Sequence, residues 1–275
     1  MRMLVFQGVL VLTEHTITMV RYLRSTIMLL GEFSLFFGAI LSTGPRMWRR
    51  RGLFLKQCEF IGVSSVMIIT VAGFFMGGVL GYQLYVAFKI FGAEALLGGT
   101  IGVSLFRELA PVMGAIMVTG RAGAAMAAEL ASMRVSEQVD ALEVMAVNPI
   151  EYLVTPRVMA GALMMPLLAV YFGVVGSLAG AFVACGIMDL DPAIFWEQYR
   201  RFVDAIDIGH CLVKGTTFGL ILAWVGCFCG FRAHGGARAV GQATRSTVVA
   251  TCLMILLFDY ILTSLLPFGF KYLKI

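Results

Sequence analysis

Charge is what this sequence has least of: 13% of its 275 residues are Asp, Glu, Lys or Arg, against 60% hydrophobic, and its mean hydropathy is +0.90. A water-soluble globule of this size needs more polar surface than that. Paired cysteine motifs are also missing. Cys58, Cys185, Cys211, Cys227, Cys229 and Cys252 lie in or beside apolar runs, with no CxxC and no histidine at ligand spacing, which excludes a zinc site of the usual spacing and leaves them as small buried hydrophobes. His15, His210 and His234 are isolated, and nothing in their surroundings makes any of them a ligand or a base.

Catalytic signatures are absent too. There is no GxSxG, HExxH or GxxxxGK[ST] run, and no carboxylate pair flanks a polar cleft. If the chain moves a solute uphill, the energy source is therefore on another chain. No basic and aromatic stretches alternate as nucleic-acid binding requires. No unit of 20 to 50 residues repeats and no inverted second half is visible, which argues against the inverted-repeat secondary transporters. The amino end carries no short apolar core with a cleavage site, so the first span is expected to act as its own insertion signal.

What is present is a series of long apolar stretches. Phe60 to Phe88 holds no formal charge, and it exceeds the roughly 20 residues a helix needs to cross a bilayer. Ala95 to Gly120, Val158 to Met188, Leu212 to Phe231 and Thr247 to Phe268 supply four more expected spans. The third contains Pro166 with Gly173, Gly176 and Gly180, a pattern that allows close helix approach or a kink. Gly77, Gly78, Gly81 and Gly98, Gly99, Gly102 lie inside spans, where close packing explains them better than phosphate binding.

Ser25 to Gly44 is apolar as well, but it holds Glu32 and has basic residues on both sides: Arg21 and Arg24 before it, Arg46, Arg49, Arg50, Arg51 and Lys56 after it. Positive residues prefer the cytoplasm, so this segment is expected to lie in the inner leaflet rather than cross. The organisation expected is thus an all-α integral membrane protein: a basic, interfacial amino-terminal region (1–56), then a five-span unit (57–275). Counting from a cytoplasmic basic cluster places Arg121 to Arg157 inside, Asp189 to Asp207 outside despite Arg200 and Arg201, and Arg232 to Arg245 inside.

Two anomalies carry the functional reading. The first is Arg107 with Glu108 near the middle of the second expected span. A mid-membrane charge costs roughly 2.5 to 3.5 kcal/mol on insertion scales. Neighbouring helical residues point about 100 degrees apart, so each member needs another partner. Pro111 just beyond frees a carbonyl and bends the helix. A gate or headgroup contact and a structural ion pair both fit. Asp259, in the last span, is expected to cap or pair near the membrane edge, and Glu32 to reach back to the inner interface.

The second anomaly is the polar stretch from Arg121 to Pro156. Gly120, Ala124 and Ala128, and Gly123, Ala127 and Ala131, form two rows of small residues; Val135, Val139, Leu142 and Met145 or Ala146 then recur at helical spacing among Glu137, Gln138, Asp140 and Glu143. An amphipathic helix ended by Asn148 and Pro149 is expected. Periodicity alone leaves open whether it docks on a motor domain or is an ordinary interfacial helix.

The run RELAPVMGAIMVTGRAGAAMAAELASMRVSEQVDALEVMAVNP, Arg107 to Pro149, closely resembles the signature region of the MlaE (YrbE) permeases, membrane subunits of MCE-type ABC lipid transporters. Weaker similarity runs from Cys58 onward through Thr155-Pro156-Arg157, Ala243-Thr244-Arg245 and Phe258-Asp259-Tyr260. The resemblance implies a homodimer in the inner membrane, driven by cytoplasmic ABC ATPases that hold the ATP, so that this chain binds no cofactor itself. It further implies a periplasmic ring of MCE-domain proteins, a STAS-domain regulator and a phospholipid or related lipid as substrate, with outer-membrane lipid asymmetry as the purpose. By position, substrate contact falls on Leu80, Gln83, Phe88, Phe91, Arg107, Glu108 and Leu109. The coupling helix falls within Glu129 to Met145, with Glu129, Met133, Arg134, Glu137, Gln138, Asp140 and Met145 as its contacts. Phe88, Phe91 and Ala110 depart from the residues usual in the family. The competing class is a channel or scaffold in which Arg107 and Glu108 line a permanent pore.

Overall fold

The computed structural model describes residues 27, 28, 31–40, 42, 43 and 51–266. Among these residues the chain is helical, with five helices long and apolar enough to cross a membrane: Arg51–Ile90, Glu94–Val135, Ile150–Gly186, Ala205–Phe231 and Ala237–Leu265. We label the short apolar helix Gly31–Ile40 α1 and divide the first long helix into α2 (Arg51–Ile61) and α3 (Val66–Ile90). The rest are α4 (Glu94–Val135), α5 (Gln138–Val144), α6 (Ile150–Gly186), α7 (Pro192–Phe202), α8 (Ala205–Phe231) and α9 (Ala237–Leu265). The expected division at residue 56 falls inside α2.

The bundle is centred on α6, which packs along α3 on one side and α8 on the other; α8 in turn carries α4 and α9. Small residues set the closeness of these contacts, as expected where lipid supplies no hydrophobic drive between helices. A Cβ on Gly77 would fall inside the backbone of Gly176, and one on Gly219 would meet the Gly161 carbonyl. Pro166 lies inside α6 without ending it, and its ring faces Gly215 of α8. The second glycine group has a different partner: Gly98, Gly99 and Gly102 at the start of α4 receive Phe195, Phe202 and Tyr199 of α7. This places α7 against the bundle end where α3 finishes, with Phe195 wholly buried and Asp191 capping its first turn.

The opposite end collects the positive charge. Arg51, Lys56, Arg121, Arg134, Arg157, Arg232, Arg238 and Arg245 all sit on helix segments that start or finish there. At this basic end α1 lies along the last turns of α8: Phe33 stacks on Trp224 with ring centroids 3.8 Å apart, and Phe36 reaches Phe228 and Phe231. Glu32 pairs with Arg232 at 3.3 Å, and the Thr43 hydroxyl bonds that of Thr155 at 2.7 Å. The basic residues at positions 21, 24, 46, 49 and 50, and His15, lie outside the described residues.

Several expected boundaries shift: α6, α8 and α9 begin at Ile150, Ala205 and Ala237, ahead of the expected Val158, Leu212 and Thr247, and three differences bear on function. The second span does not end at Gly120: α4 continues unbroken to Val135, so the small-residue rows belong to the bundle, and Gly123, Ala127 and Ala131 are buried, the first two against α8. The expected single amphipathic helix is split at Ser136–Glu137, where Glu137 adopts a left-handed backbone with φ 59°. Val135, Val139, Leu142 and Met145 therefore share no continuous stripe, and of the four only Val139 is buried. Asn148 does not terminate a helix either: its side-chain oxygen accepts the N–H groups of Ile150 at 3.0 Å and Glu151 at 3.4 Å, so it caps α6.

Candidate functional site

A widened π-turn at Leu105–Leu109 presents Arg107 and Glu108 to α8 and α9. Its cause is local. Pro111 cannot donate to the carbonyl four residues back and its ring crowds that carbonyl, so the helix takes an extra residue and the Ala110 N–H bonds the Leu105 carbonyl instead.

Each member of the pair finds its partner on a different helix. Arg107 Nε donates to Asp207 Oδ1 at 2.5 Å, while Asp207 Oδ2 accepts the Asp204 N–H at 2.8 Å in a capping box that opens α8. Lys214 Nζ donates to Glu108 Oε2 at 2.6 Å and to Thr263 Oγ1 at 2.7 Å, and pairs with Asp259 Oδ1 at 2.8 Å. Asp207 is 0% and Lys214 1% exposed, whereas the Glu108 side chain is 43% exposed. Two cations thus face three carboxylates across α4, α8 and α9. A cavity of ≈ 10 Å³ adjoins them, lined by Arg107, Glu108, His210, Lys214, Thr263 and Leu266, about the lower bound for one water. A second, open groove of ≈ 220 Å³ is lined by Gly99, Thr100, Val103, Ser104, Arg107 and Phe202, so that Arg107 borders both spaces.

The network is not at the centre of its span. With α4 running from Glu94 to Val135, residues 107 and 108 are level with the first turns of α8 and the last turns of α9, nearer the α7 end. Asp207, grouped by sequence with the outer loop, is a wholly buried span residue. His210, isolated in the sequence, lines the cavity. Asp259 is paired toward the end of its helix, as expected. Opposite charges at Lys214 and Asp259 in otherwise apolar spans were the available signal for this cluster; Asp207 and Thr263 gave none.

The remaining expected substrate residues do not join this cluster within one chain. Leu80, Phe88 and Leu109 are half-buried and pack on the core, while Gln83 and Phe91 face outward, Phe91 at 80% exposure. At the basic end the expected coupling residues divide. Glu129 pairs with buried Arg157 at 2.8 Å, and Arg134 pairs with Asp140 at 2.5 Å, holding α5 to the end of α4. Met133 is half-buried; Glu137, Gln138 and Met145 are exposed, as is Val144 beside it at 88%. Among the described residues no group of three or more His, Cys, Asp or Glu could hold a metal ion.

Five apolar spans, three of them joined by a network of ion pairs, define a polytopic α-helical membrane protein. The family described as Permease MlaE matches residues 54–265, and the chain belongs to that family. It is 38% identical over 235 residues to a probable ABC transporter permease protein of Rickettsia conorii, covering 86% of this chain and 91% of that protein. It is 36% identical over 231 residues (84% and 88%) to the intermembrane phospholipid transport system permease protein MlaE of Haemophilus influenzae. The protein TRIGALACTOSYLDIACYLGLYCEROL 1, chloroplastic, of Arabidopsis thaliana is 35% identical over 221 residues, which cover 80% of this chain and 62% of that protein.

Proposed function

We propose that this chain is the membrane subunit of an ATP-driven transporter that moves phospholipid, or a related lipid, between the inner membrane and a periplasmic MCE protein, and so maintains outer-membrane lipid asymmetry. It works as a homodimer. ATP is bound and hydrolysed by a cytoplasmic ABC ATPase, to which a STAS-domain protein attaches. The basic end faces the cytoplasm by the preference of Lys and Arg for that side.

The observation that carries this reading is α5. Val139 is buried and Arg134 holds Asp140, which fixes the short helix to α4, yet its last residue, Val144, and Met145 after it stand bare. A rigidly mounted helix with uncovered apolar residues suits insertion into a groove of a partner domain. Motion received there passes along α4 to the network at Arg107 and Glu108. Gln83 and Phe91 face away from the bundle, where a second copy and a lipid between the two copies would meet them. The acyl chains need apolar walls and the headgroup a few polar ones; the groove beside Arg107 is lined by Thr100 and Ser104 as well as by Val103 and Phe202.

The test is co-purification and transport. Replacing Val144 and Met145 together by Glu is expected to lower recovery of the ATPase on the purified permease by about tenfold or more, the effect of losing two interface anchors, with the spans folded. Full recovery of ATPase, or ion conduction by the permease alone in bilayers without lipid movement, would overturn the reading in favour of a channel or scaffold.

A further inference from the structure

The first long helix is broken, and the break is tied to α4 by one side chain. After α2 ends at Ile61, the chain makes a single tight turn over Val63–Ser65 before α3 begins. Within the turn the Ser65 N–H bonds the Gly62 carbonyl at 2.9 Å, three residues back rather than four, so the Ile61 carbonyl loses that helical donor. Glycine suits the joint, because a Cβ on Gly62 would come within 2.8 Å of the Cys58 carbonyl, which is backbone, while the Met164 methyl it would also meet can move aside.

Arg121 of α4 meets this joint. Its Nη2 donates to the Phe60 carbonyl and, at 3.4 Å, to that of Ile61. Its Nε donates to Ser65 Oγ at 3.0 Å, and that buried hydroxyl donates to the Ile61 carbonyl at 2.7 Å. The guanidinium also lies 5.2 Å from the centroid of the Phe60 ring. A planar fork with several donors suits this set, where lysine could offer only a point charge. Arg121 itself sits in a second π-turn, Thr119–Gly123, the kind of widened turn that can shift register, and the same helix then runs on to α5.

We propose that Arg121 is a positioning residue that converts displacement of α5 and the end of α4 into a change in the angle between α2 and α3. The joint bends, because its backbone is already out of helical register, and the guanidinium keeps it in step with α4. This rests on the motor-driven reading above, since without a motor α5 has nothing to transmit.

The experiment uses the complex with its ATPase, reconstituted in phospholipid vesicles, and compares Arg121→Gln and Arg121→Lys with the wild type. Lipid moved per ATP hydrolysed is the first readout; amide hydrogen exchange of residues 60–66 is the second. Arg121→Gln is expected to lower lipid moved per ATP by about tenfold, the size of one charge-assisted hydrogen bond. Exchange at residues 60–66 should rise by a similar factor, and ATP hydrolysis and subunit assembly should hold within about twofold. Arg121→Lys should recover part of both, and it carries the comparison if the Gln variant fails to assemble. Unchanged lipid per ATP would overturn the inference whatever the exchange shows, and so would lost transport with unchanged exchange at the joint. A wild-type complex that moves no lipid with ATP would instead defeat the motor-driven reading itself, separately from these variants.

Discussion

Lys214 donates hydrogen bonds to Glu108 and Thr263 and forms an ion pair with Asp259, so its partners come from two other helices, while Asp259 Oδ1 is buried without accepting a hydrogen bond. Two hydrogen bonds and a second carboxylate at ion-pair distance together offset its burial. The partners are not equivalent. Lys214→Met leaves two carboxylates facing each other with no cation between them, and the cost is expected to be about 3 to 5 kcal/mol. Glu108→Gln keeps a polar group in place and leaves Lys214 paired with Asp259, so about 1 kcal/mol is expected there. Thermal unfolding in detergent should accordingly show a much larger fall in Tm for Lys214→Met than for Glu108→Gln; equal falls would contradict the assignment. If Glu108 lies on the lipid route, its variant loses lipid occupancy while keeping most of its stability.

At the level of elements, the arginines at three π-turns follow one pattern. Arg107 lies in the first, Arg121 in the second, and Arg157, just beyond the turn Ile150–Val154, donates to the Leu153 carbonyl at 3.0 Å while pairing with Glu129. In each case a widened turn offers a side chain or a carbonyl to a neighbour that a regular helix would not. Contacts between spans depend instead on absent side chains. Gly77→Ala should separate α3 from α6, because the added methyl has backbone rather than a movable side chain to displace; overpacking of this kind costs about 1 to 3 kcal/mol. Gly120→Ala, where a Cβ meets nothing within 4 Å, should leave Tm unchanged or slightly raised by helix propensity. Matching effects at the two positions would refute the packing argument.

At the scale of the whole molecule, most of the arginines among the described residues gather at one end, where acids such as Glu129 and Asp140 pair with some of them. Helix segments at the basic end carry Arg121, Arg134, Arg157, Arg232, Arg238 and Arg245, and the other end carries α7 with Arg200 and Arg201 among several acids. With the six native cysteines replaced, a cysteine at Ser136 is expected to react with a membrane-impermeant maleimide only from the cytoplasmic side, and one at Ala193 only from outside. Reaction of Ser136 from outside would reverse the orientation.

Much of this was legible in the residues. Absence of charge over long apolar runs determined the membrane class and the number of spans, because the bilayer penalises each unpaired charge and needs a fixed helix length. The need of Arg107 and Glu108 for separate partners followed from the angle between adjacent helical side chains. What only the tertiary structure decided is who those partners are, since Asp207, Lys214 and Asp259 are distant in sequence and become neighbours only when α8 and α9 pack on α4. The continuation of α4 to Val135 was hidden for a related reason. Small and polar residues there mimic a solvent-facing helix, and only the glycine-lined face of α8 reveals that one side is buried. The break at Glu137 and the clamp of Arg121 on Phe60 and Ile61 likewise depend on backbone conformation and on contacts between distant segments, neither of which hydrophobic periodicity records.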